Sequence, residues 1–456
     1  MPSVLRDVLR RRLSHLGSHV VDVRPGEMPV LAWSWLYVFA LFVAYYVLRP
    51  IRDELGVAGG VRNLPWLFTG TLLVMLVLNP LFGWLVRRWS RDRFVAICYR
   101  FFMVNLLAFM ALLMLATDAQ RVWIGRAFFI WVSVFNLFVV SVFWSLIVDV
   151  LDAKQGKRLF GFVAAGATLG GIVGAGLTSG LVEHVGQNWL LLASVVMLEV
   201  AVFAARRVSS AGTRLQPEQQ ASDDDRPVGG GVFAGLTHTF RSPYLIGISG
   251  FILLYAVTST FLYFQQASIA EAGFQDRSSR TAFFANIDLW VNGLTLFVQL
   301  LLTGRLVKWM GMVAALCALP LFNVAGFAVL AASPTIGVFI AFQVARRVTN
   351  FALAKPTREM LFTDVSKEDR YKAKNFIDTV VYRAGDQLGS WAYAGLAAVG
   401  LGMTGISVVA VPLSLAWLGL GLWLGKQHLS GKPVEEKTQE DAEPSAAPFS
   451  ARNEPR

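Results

Sequence analysis

Apolar and polar positions alternate along this chain in blocks rather than residue by residue. Apolar runs follow one another from residue 29 to residue 425, separated by short polar stretches. A helix needs roughly 20 such residues to cross hydrocarbon. Twelve runs come close to or exceed that length: 29–49, 64–86, 94–117, 124–150, 159–182, 189–205, 244–267, 281–303, 311–332, 335–362, 377–400 and 404–425. Each reads as a helix, because a helix satisfies every backbone N–H and C=O within one segment and lipid supplies no substitute partner. The pattern predicts an all-α polytopic membrane protein of twelve transmembrane helices.

The runs fall into two related sets of six. Tyr37 and Tyr45 in the first span are matched by Tyr255 and Tyr263 in the seventh, at an offset of 218. Gly83-Trp-Leu-Val-Arg87 is similar to Gly304-Arg-Leu-Val-Lys308, at 221. Ala165-Gly-Ala-Thr-Leu-Gly-Gly171 is similar to Ala384-Gly-Asp-Gln-Leu-Gly-Ser390, at 219. Three matches at nearly one offset point to two pseudo-symmetric six-helix halves, the architecture in which a transport site lies between the repeats. The expected division is a basic N-terminal segment (1–28), an N-terminal half (29–205), a central loop (206–243), a C-terminal half (244–425) and a disordered tail (426–456).

Composition agrees with hydrocarbon as the solvent. Apolar residues make up 55% of the chain and charged ones 16%, against about 25% charged in soluble domains. The net charge of +11 suggests nucleic acid until its distribution is read. Of the Lys and Arg outside the spans or at their ends, 28 fall on the side of the two termini and 6 on the other. The positive-inside rule then places both termini and the central loop in the cytoplasm of a bacterial inner membrane, and no nucleic-acid partner is needed to explain the basicity. Arg6, Arg10, Arg11 and Arg12 suit an amphipathic segment on the anionic inner surface.

Chemistry by cofactor is not expected. The two cysteines, Cys98 and Cys317, lie in spans of different halves, and all five histidines lie outside the spans. No HExxH and no Walker glycine-lysine loop is present, which argues against a metalloprotease or an ATPase. The expected partners are the bilayer and a small solute, and the expected state is a monomer without enzymatic activity.

Charge inside the spans is the informative anomaly. Arg346, Arg347, Lys355 and Arg358 all fall in the tenth span. A mid-membrane cation costs about 2.5–3.5 kcal/mol on the insertion scale, so these four must face protein, water or an interface. On an ideal helix Arg347 and Arg358 lie within roughly 20° of each other, with Lys355 about 80° away. Two readings stand for them: end anchors or internal ion pairs on one side, a cationic binding face on the other. Asp149, Asp288, Asp378 and Asp386 are the acids available to pair, with Glu359 beside them. Arg383 and Asp386 are three apart and able to pair on one face. Tyr45, with Arg49 and Arg52, and Tyr255, with Ser259 and Tyr263, form matched polar stripes on the first helix of each half. Gly166, Gly170 and Gly174 form a smooth face that lets another helix approach closely.

Four strings resemble one family. Leu48-Arg-Pro-Ile-Arg-Asp-Glu-Leu-Gly-Val57 is similar to a signature of the ATP/ADP translocase (nucleotide exchange) family of plastids and intracellular bacteria. Phe143-Trp144 through Lys157-Arg158-Leu-Phe-Gly161, Lys355-Pro-Thr-Arg-Glu-Met360, and Lys374-Asn-Phe-Ile-Asp378 with Gly385 resemble it as well. That family belongs to or adjoins the major facilitator superfamily, so the resemblance implies twelve helices, alternating access and nucleotide antiport. It places Arg52 and Arg358 where the family carries lysines, Asp149 at an acidic or amide position and Lys374 on a family lysine. The chain departs from the pattern at Tyr263, near an expected glutamate, and at Asp386, near an expected lysine. Changed charges of this kind bear on which anion is carried.

Together these readings predict a secondary transporter of an organic anion, with ATP/ADP exchange as the family-implied case. Proton-coupled carriage of another phosphorylated or carboxylated metabolite is the alternative within that class. A lipid flippase and a non-transporting scaffold are the rivals outside it. The expected substrate-binding set is Arg52, Tyr45, Arg347, Lys355, Arg358, Arg383, Tyr263 and Lys374, and the expected coupling and gating set is Asp149, Asp288, Asp386 and Asp378.

Overall fold

The computed structural model describes residues 23–24, 26–88, 91–151, 153–215, 239–240, 242–301, 303–365, 373–374 and 376–430. Most of the basic N-terminal segment, residues 216–238 of the central loop and residues 431–456 of the tail lie outside this set. Every regular element among the described residues is helical. In chain order these are α1 (Met28–Ala58), α2 (Leu64–Arg88), α3 (Arg91–Leu115), α4 (Asp118–Val150), α5 (Ala153–Leu215), α6 (Pro243–Gly273), α7 (Arg277–Leu301), α8 (Thr303–Ala332), α9 (Ile336–Thr349), α10 (Lys355–Met360), α11 (Tyr382–Ala398) and α12 (Met403–Leu429).

Ten helical stretches among the described residues are long and apolar enough to cross a membrane. The difference from twelve has two local causes. Helix α5 runs through two of the expected spans, and its backbone breaks at Gly186, with φ 77°. An L side chain rarely adopts that conformation, so glycine permits the chain to turn there. Helix α11 has only 17 residues, but a π turn at Ile377–Val381 continues it towards its N-terminus. The twelve-span expectation is compatible with both features. Large apolar side chains such as Leu76, Val77, Phe101, Leu115, Trp290 and Leu300 stay exposed, as lipid-facing residues do.

Each half contains the same close helix contact. A Cβ built on Gly166 of α5 would lie 3.1 Å from the Trp35 carbonyl of α1, and one on Gly170 2.5 Å from that of Phe39. In the second half, a Cβ on Gly385 of α11 would lie 3.0 Å from the Leu253 carbonyl of α6, and one on Gly389 3.1 Å from that of Val257. The glycine matches found in the sequence are thus the same backbone-to-backbone approach made twice, where any larger side chain would hold the helices apart.

The halves meet at the end of the bundle where α1 reaches Ala58. Val57, Leu64, Leu67 and Phe129 of the first half pack in one apolar cluster with Phe261, Phe264 and Ile269 of the second. Buried Glu54 pairs with Arg277 at 3.1 Å and Arg280 at 3.9 Å, and accepts a 2.9 Å hydrogen bond from Gln187 Nε2. Tyr263 Oη donates to Asp53 Oδ1 at 3.0 Å. Gln387 and Trp391 donate to Thr69. At the opposite end, Glu27 binds Arg158 at 2.8 Å within the first half. Lys374 pairs with Glu359 within the second.

Candidate functional site

Just below that junction lies a cavity of about 250 Å³ between the halves. The first half contributes Arg49 and Arg52 from α1, Phe68 and Thr71 from α2, and Phe129 from α4. The second contributes Tyr255, Ser259 and Tyr263 from α6, Arg346 and Arg347 from α9, and Tyr382, Arg383 and Asp386 from α11. Helical spacing explains the selection. Tyr255, Ser259 and Tyr263 are four apart and so share one face of α6, and Arg49 and Arg52 are three apart on α1.

Three carboxylates partner four of these five arginines. Asp288 of α7 holds two of them, Arg347 NH1 at 2.7 Å and Arg49 NH1 at 3.1 Å, both on Oδ1. Arg52 Nε donates to its neighbour Asp53 at 2.9 Å, and the same Asp53 oxygen accepts from Tyr263. Arg383 pairs with Asp386 at 3.2 Å along one helix face, as the sequence spacing predicts. Arg346 is buried, and among the described residues no carboxylate stands within ion-pair distance of it. Its Nε donates to Asn323 Oδ1 at 3.0 Å, a terminal nitrogen donates to Ser259 Oγ, and its guanidinium lies over the Tyr255 ring, 5.4 Å from the centroid. Such stacking suits the weakly hydrated planar cation. Arg347 NH2 and Gln343 Oε1 are buried without a hydrogen-bond partner. Five guanidiniums against three carboxylates leave the cavity and its immediate wall with a surplus of two positive charges.

Aromatic rings line the cavity beside the arginines. Phe68 lies 5.6 Å from both Tyr263 and Phe264, and the Arg52 guanidinium sits 4.8 Å over Phe129. A guest here would meet both guanidiniums and ring faces.

The structure divides the predicted site residues. Arg52, Tyr263, Arg347, Arg383 and Asp386 line the cavity, and Asp288 stands directly behind Arg347. Lys355, Arg358, Lys374 and Asp378 form a second group at the end away from Ala58, where Arg358 lies 3.8 Å from Asp378 and Lys374 pairs with Glu359. The ideal-helix estimate that put Arg347 and Arg358 on one face is corrected here. A π turn at Asn350–Ala354 separates them and alters the rotation, and eleven residues of helix rise also span about 16 Å. Tyr45 packs against Phe42 and Tyr46, and Asp149 is exposed near the end of α4. Neither lines the cavity. Tyr37, the match of cavity-lining Tyr255, is buried and hydrogen-bonded to Tyr99.

Three cavity features escaped the predicted set. Arg49 belonged to the polar stripe of α1, but its bridge to Asp288 depends on the approach of two helices far apart in sequence. Arg346 was visible as an intramembrane cation, whereas its lack of an acidic partner is a tertiary fact. Asn323 and Gln343 carried no charge to mark them.

The Major Facilitator Superfamily model matches residues 30–385, and the chain belongs to that superfamily. ADP,ATP carrier protein 1 of Chlamydia trachomatis is 22% identical over 367 residues, covering 72% of this chain and 69% of the relative. ADP,ATP carrier protein 2 of Chlamydia pneumoniae is 22% identical over 502 residues, covering 91% and 92%. A bacterial homologue of the iron transporter ferroportin, in an inward-facing state, superposes with TM-score 0.60 at 12% identity, covering 89% of this chain and 98% of that one. A bacterial homologue of the lysosomal transporter Spinster, also inward-facing, gives 0.54 at 15%, covering 90% and 99%. The nucleoside transporter NupG gives 0.51 at 12%, again covering 90% and 99%. At these identities the structural likeness bears on the fold alone.

Proposed function

From membership of the major facilitator superfamily as premise, we propose that this transporter carries an organic anion by alternating access through the cavity between its halves. The observation that supports this reading is the set of five arginines at that junction, held among the described residues with three carboxylates. Arginine suits carboxylate and phosphate oxygens because its planar fork donates two parallel hydrogen bonds. The aromatic wall of Phe68, Phe129 and Tyr263 favours an anion that carries a ring.

The carrier names of the chlamydial relatives favour a nucleotide as cargo and exchange as the mode. Exchange also follows physically from the surplus charge, since an empty cavity must dehydrate uncompensated cations to reorient. The basic segments favour a bacterial inner membrane with both termini cytoplasmic. The Ala58 end is then periplasmic, and its cross-half bonds make this an inward-facing state. A second, proton-coupled reading draws on Asp386, a carboxylate on the cavity wall that also accepts from Thr260 at 3.4 Å.

Uptake into proteoliposomes tests both readings. Accumulation of labelled nucleotide or sugar phosphate only into vesicles preloaded with an anion supports exchange. Accumulation driven by an imposed pH gradient into empty vesicles supports proton coupling. Transport of neither under either condition would overturn the carrier proposal.

A further inference from the structure

Two adjacent arginines on α9 differ in what neutralises them. Arg347 has Asp288, which it shares with Arg49, and its NH2 nitrogen makes no hydrogen bond. Among the described residues Arg346 has no carboxylate partner, and it is only 3% exposed. Neutral groups hold it in place: Asn323, Ser259 and the face of Tyr255. Its two hydrogen bonds occupy Nε and one terminal nitrogen, which leaves the other terminal nitrogen for a guest in the cavity it lines. A buried, uncompensated guanidinium is among the costliest arrangements a protein keeps. An architecture that orients it with neutral hydrogen bonds fits a cation reserved for an external anion.

Charge balance specifies that anion further. With Asp53, Asp288 and Asp386 ionised, the surplus is two. When the halves close on the cargo, water leaves and the local dielectric falls, so any remaining net charge becomes expensive. A guest with two negative charges leaves the occluded cavity neutral. A nucleoside triphosphate with about four would leave it strongly negative, and no guest leaves it strongly positive.

We infer that Arg346 is the seat of a single doubly charged group, so that this carrier selects dianions over polyphosphates. This rests on the anion-carrier reading and narrows its substrate class to phosphomonoesters or dicarboxylates. Arg52 and Arg383, each already matched by an acid on its own helix, serve to orient the guest rather than to bind its charge.

The test is equilibrium binding to the purified full-length chain in lipid nanodiscs. The probes are AMP, AMP methyl ester, ATP, glycerol 3-phosphate, succinate and monomethyl succinate. In the unmodified protein, AMP should bind about tenfold or more tighter than either ATP or its own methyl ester. Comparison of glycerol 3-phosphate with succinate separates the phosphomonoester from the dicarboxylate source. Arg346→Gln should weaken the dianions about tenfold and narrow the preference of dianion over monoanion, since the surplus falls to one. Arg346→Lys keeps the charge and should retain that preference at lower affinity. Arg100→Gln, which removes an exposed ion pair far from the cavity, should change nothing.

ATP binding as tightly as AMP to the unmodified chain would overturn the inference while leaving the anion carrier standing. So would an unaltered dianion preference in folded Arg346→Gln. Failure of every anion to bind would overturn the carrier reading as well. The charge series on the unmodified chain decides the point even where a variant does not fold.

Discussion

Arg49 and Arg347 converge on a single oxygen, Oδ1 of Asp288, from opposite halves of the molecule, at 3.1 and 2.7 Å. One carboxylate thus bridges a buried and a half-buried cation and ties the halves together at the level of the cavity. Asp288→Asn leaves both guanidiniums uncompensated, and breaking a buried pair from one side costs about 3–5 kcal/mol. Thermal unfolding of the detergent-purified variant should drop by several degrees. Adding Arg347→Gln should recover part of the loss, because one stranded charge is removed. An Asp288→Asn protein as stable as the parent would show that this carboxylate is not the centre of the network.

The hydroxyl of Tyr263 crosses the same boundary to reach Asp53 at 3.0 Å. Tyr263→Phe keeps the ring packing against Phe68 and Phe264 and deletes only that bond, worth about 1 kcal/mol. The closed state at the Ala58 end should therefore lose population. Spin labels at Arg62 and Gln275, one from each half at that end, report it through their distance distribution. A longer-distance component should grow in the variant, and an unchanged distribution would place the energy of closure in the apolar cluster instead.

The glycines of α5 separate backbone contact from open space. At Gly170 an added methyl would meet the Phe39 carbonyl at 2.5 Å, whereas at Gly180 nothing stands within 4 Å. Gly170→Ala should lower the unfolding temperature by several degrees, and its counterpart Gly389→Ala should act in the same direction. Gly180→Ala should be neutral or slightly stabilising, because alanine has the better helix propensity. Equal effects at 170 and 180 would argue against backbone contact as the reason for the stripe.

Glu27 lies just before α1, outside the spans. Burial alone would push its carboxyl up, but Arg158, the Arg24 N–H and Gln155 outweigh that and hold it below the usual value of 4.5. A depressed folded value means that the contact stabilises fully at pH above the usual 4.5 and is lost as pH falls below it through the depressed value. Glu27→Gln should therefore unfold at a lower temperature than the parent at pH 7, with the gap narrowing towards pH 4. A gap that is constant with pH would assign the effect to packing rather than to charge.

The hydrophobic pattern by itself determined that this chain is helical and that it crosses a membrane many times, and matched strings pointed to two similar halves. These are local properties, because length and apolarity decide insertion segment by segment and the repeat is a comparison of strings. Gly166 and Gly170 could be matched to Gly385 and Gly389 with no knowledge of what they touch. The charged site was only half legible. Arg383 with Asp386 could be paired from spacing, since both stand on one helix. Tertiary structure alone decided that Arg347 meets Asp288 while its neighbour Arg346 meets no acid among the described residues, because adjacent residues point about 100° apart and their partners come from other helices. It also decided that Lys355, Arg358, Lys374 and Asp378 gather at the far end rather than in the cavity, since a π turn and about three turns of helix rise intervene. Which charge is answered by protein and which is left for cargo depends on the approach of helices, and that distance is not written in the order of residues along the chain.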